Sequence, residues 1–200
     1  MIPPRLTAAQ PPPALLHTRA TPTLLVVRMT VLLLTLAALL IGLGAAVQLG
    51  MVSNIGRLRG PTEAAWINVL ATFFGMALVF GVQALRGHPP NLPSPFDNPY
   101  VFAGVAAAAA FALSVSMSGL APYLAIAGVF GFSYLMGAGY LAPRIGIALF
   151  ASAVTAGTLV GSVALDHYGA FGGEVHRISA MRVSGLVLLV LGVVLVRSSR

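Results

Sequence analysis

The 200-residue chain is 58% hydrophobic and only 8% charged, with a mean hydropathy of +0.95. That excludes a soluble globular protein, in which roughly 25% of residues are charged. It has no cysteine, which excludes disulfides, thiolate metal sites and Cys nucleophiles. Its net charge of +7 comes from Arg without Lys, mostly at the ends of apolar runs: Arg28, Arg57, Arg86, Arg144 and Arg197. These read as interface anchors, and with no basic patch interleaved with aromatics, no nucleic-acid partner is expected.

Residues 1–23 hold Pro3, Pro4, Pro11, Pro12, Pro13 and Pro22 and read as a disordered tail ahead of a transmembrane domain over 24–200. The following run is too long for a signal-peptide core and lacks a clear cleavage pattern, so it is expected to be an uncleaved signal anchor. Met29, at its edge, is an alternative start. Six spans are predicted: Met29–Met51, Thr62–Leu85, Tyr100–Ser118, Tyr123–Leu141, Ile145–Leu165 and Met181–Val196. The Pro-rich stretch 87–99 separates the second from the third. Gly119 and Pro122 form a tight turn, and Pro143 is expected to stop the fourth span. The third and fourth runs also allow one long span with a re-entrant piece. The fold class is all-α, because an isolated apolar segment in a bilayer satisfies its backbone only as a helix.

With both termini inside, inner segments carry Arg5, Arg19, Arg28, Arg86, Arg144, Arg197 and Arg200. Outer segments carry Arg57, Arg59, Arg177 and Arg182, a bias that favours this orientation weakly.

Small residues recur every four positions in three spans: Ala38, Gly42, Ala46 and Gly50; Ala106, Ala110, Ser114 and Ser118; Ala153, Gly157 and Gly161. Such stripes let helix backbones approach in lipid; Gly42, Ala46, Gly157 and Gly161 are the candidate packing residues, within one chain or along a homodimer seam.

Polar side chains within spans point to a pathway. Ser152, Thr155, Thr158, Ser162 and Asp166 share roughly 120° of the fifth helix, opposite its small residues. Asn68, Thr72 and Gln83 share about 60° of the second. Gln48 points away from the stripe of the first. Gln48, Asn68, Thr72, Thr155, Ser162 and Asp166 are therefore candidates to line one solute pathway. The alternative is that Ser and Thr bond their own helix carbonyls while Asn and Gln hold helices together.

Of the four acids, Glu63 lies in the first turn of its helix, where the dipole favours an anion. Asp97 reads as solvated. Asp166 closes the fifth helix, with a structural role toward the Gly-rich turn, Arg177 or Arg182, or a titrating role in transport. Asp166, His167, Glu174 and His176 match no compact metal motif, and no metal or cofactor is expected. No nucleophile elbow, phosphate loop or paired catalytic carboxylates appear, so no catalytic residue is assigned and the chain is not expected to be an enzyme.

"APRIG" (142–146), Gly157, "LDHYGAFG" (165–172), "RIS" (177–179), Gly185 and Gly192 occur in order, after a looser set of Gln48, Asn54, Gly60, Ala64, Ala65 and Asn68. Together these resemble the YdcZ-like branch of the drug/metabolite transporter superfamily. The resemblance implies a bacterial inner-membrane exporter of small molecules, half of a ten-helix transporter with about five spans. The Ala-rich third span would then be an extra one. More distantly the chain resembles small multidrug-resistance exporters, but it lacks their carboxylate in the first helix. The expected function is export of a small organic solute by alternating access. The chain is short for a complete transporter, so a homodimer or a paired homologous subunit is expected. The alternative is a non-transporting membrane subunit that binds partner helices.

Overall fold

A computed structural model describes residues 22–88, 90–96 and 98–198. The expectations for the Pro-rich tail up to residue 21, and for Asp97, lie outside the described residues. Six helices follow in order: α1 (Pro22–Arg59), α2 (Pro61–Leu85), α3 (Pro99–Ser116), α4 (Ala127–Ile145), α5 (Ile147–Tyr168) and α6 (Ala180–Ser198). Each contains a stretch long and apolar enough to cross a membrane, and no strand occurs among the described residues. The third and fourth runs form two helices, joined by a tight turn and a short 3-10 segment, Pro122–Ile126.

Two corners contain almost no loop. Gly60 alone separates α1 from α2, and Gly146 alone separates α4 from α5. Their φ/ψ values of 106°/161° and 84°/148° lie in or beside a region only glycine occupies readily. Pro143 does not stop the fourth span as predicted. Proline removes only the bond its own N–H would give to the Gly139 carbonyl, and just two residues follow it before Gly146. Gly146 ends the helix instead, its N–H bonding Ala142 O at 2.8 Å.

The helices alternate in direction, so α1, α3 and α5 run one way and α2, α4 and α6 the other. The Gly60 end gathers the 117–121 turn and the 169–179 loop; the Gly146 end holds the 86–98 loop. α1 is central and packs on α2, α4 and α5, while α3 packs chiefly on α2 and α6 on α5. Two apolar clusters form the core. One, toward the Gly60 end, joins Met51, Ile55, Ala64, Ile67, Ala71, Leu113, Leu124 and Ala127. The other, toward the Gly146 end, joins Ala38, Leu141, Ile145, Leu149, Phe150, Ala153 and Val154.

Backbone contact without intervening side chains occurs at two places. A Cβ on Gly42 would overlap Val154 O, and one on Gly157 would overlap Leu39 O; one on Gly161 would lie 2.7 Å from Ala46 Cβ. Thus α1 and α5 touch along Gly42, Ala46, Gly157 and Gly161. A Cβ on Gly128 would overlap the Ala71 backbone, so α2 and α4 touch in the same way. Between α1 and α4 the contact runs through side chains: the Phe130 ring covers Gly44, and Ile41 covers Gly137.

Candidate functional site

Between the two apolar clusters lies a cavity of about 400 Å³, bounded by α1, α2 and α4. Its polar lining is Gln48, Asn68 and Thr72; the rest includes Phe73, Met76, Tyr134 and Leu135. Gln48 Nε2 donates to Asn68 Oδ1 at 2.9 Å, joining α1 to α2. Thr72 Oγ1 donates to Asn68 O at 2.8 Å, one helical turn back. At 1.5 Å per residue, Asn68 to Met76 lie about 12 to 24 Å along α2 from Gly60, near the middle of a ~30 Å hydrocarbon core.

The Gln48–Asn68 bond uses one donor and one acceptor. Among the described residues, that is the one side-chain hydrogen bond of either amide, which leaves the Gln48 carbonyl oxygen, its second N–H and both Asn68 N–H groups available. The site therefore offers three N–H donors, a carbonyl and the lone pairs of a hydroxyl, with the Tyr134 phenol also in the lining and no carboxylate, His or Arg. Desolvated amides are costly unless bonded, so this set favours an uncharged ligand bearing oxygen atoms. Gly131 completes the site. A Cβ there would fall 2.6 Å from Thr72 Oγ1 and 2.8 Å from Gln48 Nε2, so only glycine lets α4 close over both side chains undisturbed. Sequence reasoning missed Gly131 and Tyr134. The pair Gly128 and Gly131, three residues apart in α4, was the available signal.

The six candidate pathway residues do not share one cavity. Gln48, Asn68 and Thr72 come together. Ser162 and Asp166 lie across α1, in a second cavity of about 570 Å³ near the Gly60 end, with Ser53, Arg57, Glu174 and His176. Thr155 is exposed on α5 and lines neither. Ser152 and Thr158 donate to Ala148 O at 2.7 Å and Val154 O at 2.9 Å in their own helix. One shared pathway for three helices is thus corrected to two cavities on opposite sides of α1. The reason is α1 itself: its small-residue face seals against α5, and Gln48 is left to face α2 and α4.

The second cavity is built around the α5–α6 loop. Gly169, left-handed at φ 61°, caps α5. Asp166 Oδ2 faces Arg182 Nη1 at 3.6 Å, with both side chains partly exposed. Arg57 donates to Ser53 Oγ at 2.9 Å and to the Phe171 carbonyl. Phe171 is itself left-handed, at φ 55°. Its ring packs on Gly50, where a Cβ would come within 2.5 Å of it, and lies 6.5 Å from that of Tyr123. Among the described residues, no three His, Asp or Glu side chains gather as metal ligands would.

Residues 104–195 match the family described as "Putative inner membrane exporter, YdcZ". The matched stretch is just under half the chain and runs from α3 into α6. It contains the motifs 142–146, 165–172 and 177–179 on which the sequence resemblance rests. It also takes in most of the Ala-rich α3, for which the resemblance supplied no counterpart. Gln48, Asn68 and Thr72 lie outside it. The matched family is thus described as one of inner-membrane exporters, and the chain's six helices of spanning length and apolarity are consistent with a multi-pass membrane protein. No curated protein and no solved structure matches it.

Proposed function

We propose that this protein exports a small, uncharged organic solute by alternating access, with Gln48, Asn68 and Thr72 forming the polar floor of the solute site. The observation that carries the reading is the Gln48–Asn68 pair, part-buried at mid-membrane depth beside a cavity of about 400 Å³. Polar side chains at that depth mark pathways, and transporter sites lie near the midplane between two packed bodies.

The packing suggests which bodies move. Backbone contact ties α1 to α5, and likewise α2 to α4. The two pairs meet through side chains: the two apolar clusters, Phe130 on Gly44, Ile41 on Gly137, and the hydrogen bond between Gln48 and Asn68. They are linked covalently at Gly60 and Gly146, whose glycine conformations suit hinges between rigid helices. A solute entering between Gln48 and Asn68 replaces one amide contact with several of its own. That lowers the cost of parting the seam and couples occupancy to rocking. Asp166 serves to hold the α5–α6 loop against Arg182 rather than to bind solute. Pairing with a second copy or a homologous subunit fits this reading, since α3 and α6 each pack on essentially one neighbour.

The test is thermal stabilisation of the detergent-purified protein by a panel of uncharged and charged solutes, repeated with Gln48→Leu. Stabilisation by uncharged members that Gln48→Leu abolishes supports the proposal. Stabilisation confined to cationic members, and kept by Gln48→Leu, overturns it.

A further inference from the structure

The cavity floored by Gln48 and Asn68 is not closed toward the lipid. Its mouth lies between α2 and α4 and is flanked by apolar side chains on the outer surface of the bundle. Val69 is 60% exposed, Phe73 49% and Leu135 49%. These residues stand within one turn of the polar floor, at the same depth. A water-filled route to that depth would need polar walls toward one membrane face. The core of the bundle toward the Gly60 end is instead the apolar cluster of Met51, Ile67, Ala71 and Ala127, and toward the Gly146 end that of Leu141 and Phe150.

We infer that the solute is an uncharged amphiphile dissolved in the bilayer, which enters sideways between α2 and α4. Its oxygen-bearing head seats on Gln48, Asn68 and Thr72, and its apolar tail stays in the mouth between Val69, Phe73 and Leu135. This rests on the proposed role of the cavity and adds to it the substrate class and the route. The floor is uncharged and rich in N–H donors, which suits ester, amide or hydroxyl oxygens. The mouth presents only hydrocarbon and aromatic surface to the acyl chains, which suits a tail. At about 400 Å³ the cavity has the size of a small-ligand site and cannot enclose a long tail as well.

The chain has no cysteine, so Leu135→Cys carries the sole thiol and takes one nitroxide label. The labelled full-length protein is placed in lipid nanodiscs. Its accessibility is measured to oxygen, which partitions into lipid, and to an aqueous nickel chelate. It is then titrated with 1-monodecanoin, an uncharged amphiphile, and with monoacetin, which has the same glycerol ester head without the tail. The expected result is a label reached by oxygen and not by the chelate, and immobilised by monodecanoin but not by monoacetin. Gln48→Met in the same background should weaken half-saturation about tenfold, the effect of removing one amide hydrogen bond to the head, and leave oxygen accessibility unchanged. Thr72→Val replaces it if Gln48→Met does not fold.

Access by the chelate, or equal effects of monoacetin and monodecanoin, would overturn the lateral route while leaving the cavity as a solute site. A label shielded from both reagents and dipolar-coupled to a second label would overturn it differently, by showing that another copy covers the mouth. Immobilisation by monodecanoin that neither floor variant weakens would overturn both this inference and the role of Gln48 and Asn68.

Discussion

Glycine does opposite things in this chain, and the difference is a matter of ångströms. Gly157 and Gly42 sit where a single added carbon meets a neighbouring backbone, whereas Gly185 and Gly192 have nothing within 4 Å of an added Cβ. Gly157→Ala should therefore destabilise by about 1–3 kcal/mol, the usual cost of overpacking. Gly185→Ala should be neutral, or stabilising by up to about 1 kcal/mol through helix propensity. Unfolding in mixed micelles by a denaturing detergent measures both; equal effects would mean that α1 and α5 do not touch at Gly157. Asp166→Asn should cost less than about 1 kcal/mol, because a partly exposed ion pair is weak, and should leave transport near wild type. A stable variant without transport activity would return Asp166 to the solute pathway. The spacing of Gly42, Ala46, Gly157 and Gly161 was legible in the sequence because a four-residue repeat defines a helix face unaided. What that face meets was not legible. Nor was the separation of Asn68 from Asp166, because helical periodicity gives angles around each axis and no distances between axes.

Elements were the most readable level, since an apolar run of bilayer length permits one secondary structure. Their ends were less so. Pro143 is a strong local stop signal, yet with only Arg144 and Ile145 left before Gly146 it displaces little. Gly60 and Gly146 matter more than any proline. Each turns the chain between two spans within one residue, at φ values of 106° and 84°. Gly60→Ala and Gly146→Ala should each cost about 1–3 kcal/mol through backbone strain. Gly87→Ala, also at positive φ but in the 86–98 loop, should cost less, because the loop can relax. If the two corners served as hinges, their variants would lower transport beyond what the loss of folded protein explains. A fall in flux proportional to folded protein would reduce them to structural turns.

For the whole molecule, an even number of spans puts both described ends of the bundle on one side. Arg28, Arg86, Arg144 and Arg197 gather there, and the acids Glu63, Asp166 and Glu174 lie at the other end beside Arg57, Arg59, Arg177 and Arg182. Reporter fusions after Arg197 and within 90–96 should both read cytoplasmic; opposite readings would mean that one of α3 to α6 does not cross. The central claim is that the solute passes over Gln48 and Asn68, and flux tests it directly. In proteoliposomes, export of a solute that stabilises the protein should fall at least about tenfold in Asn68→Leu, as expected when hydrogen bonds at the transport site are removed. Thr155→Val, outside both cavities, should keep wild-type flux. Undiminished flux in folded Asn68→Leu, or its disappearance in Thr155→Val, would contradict the account and move the pathway to the outer face of α5.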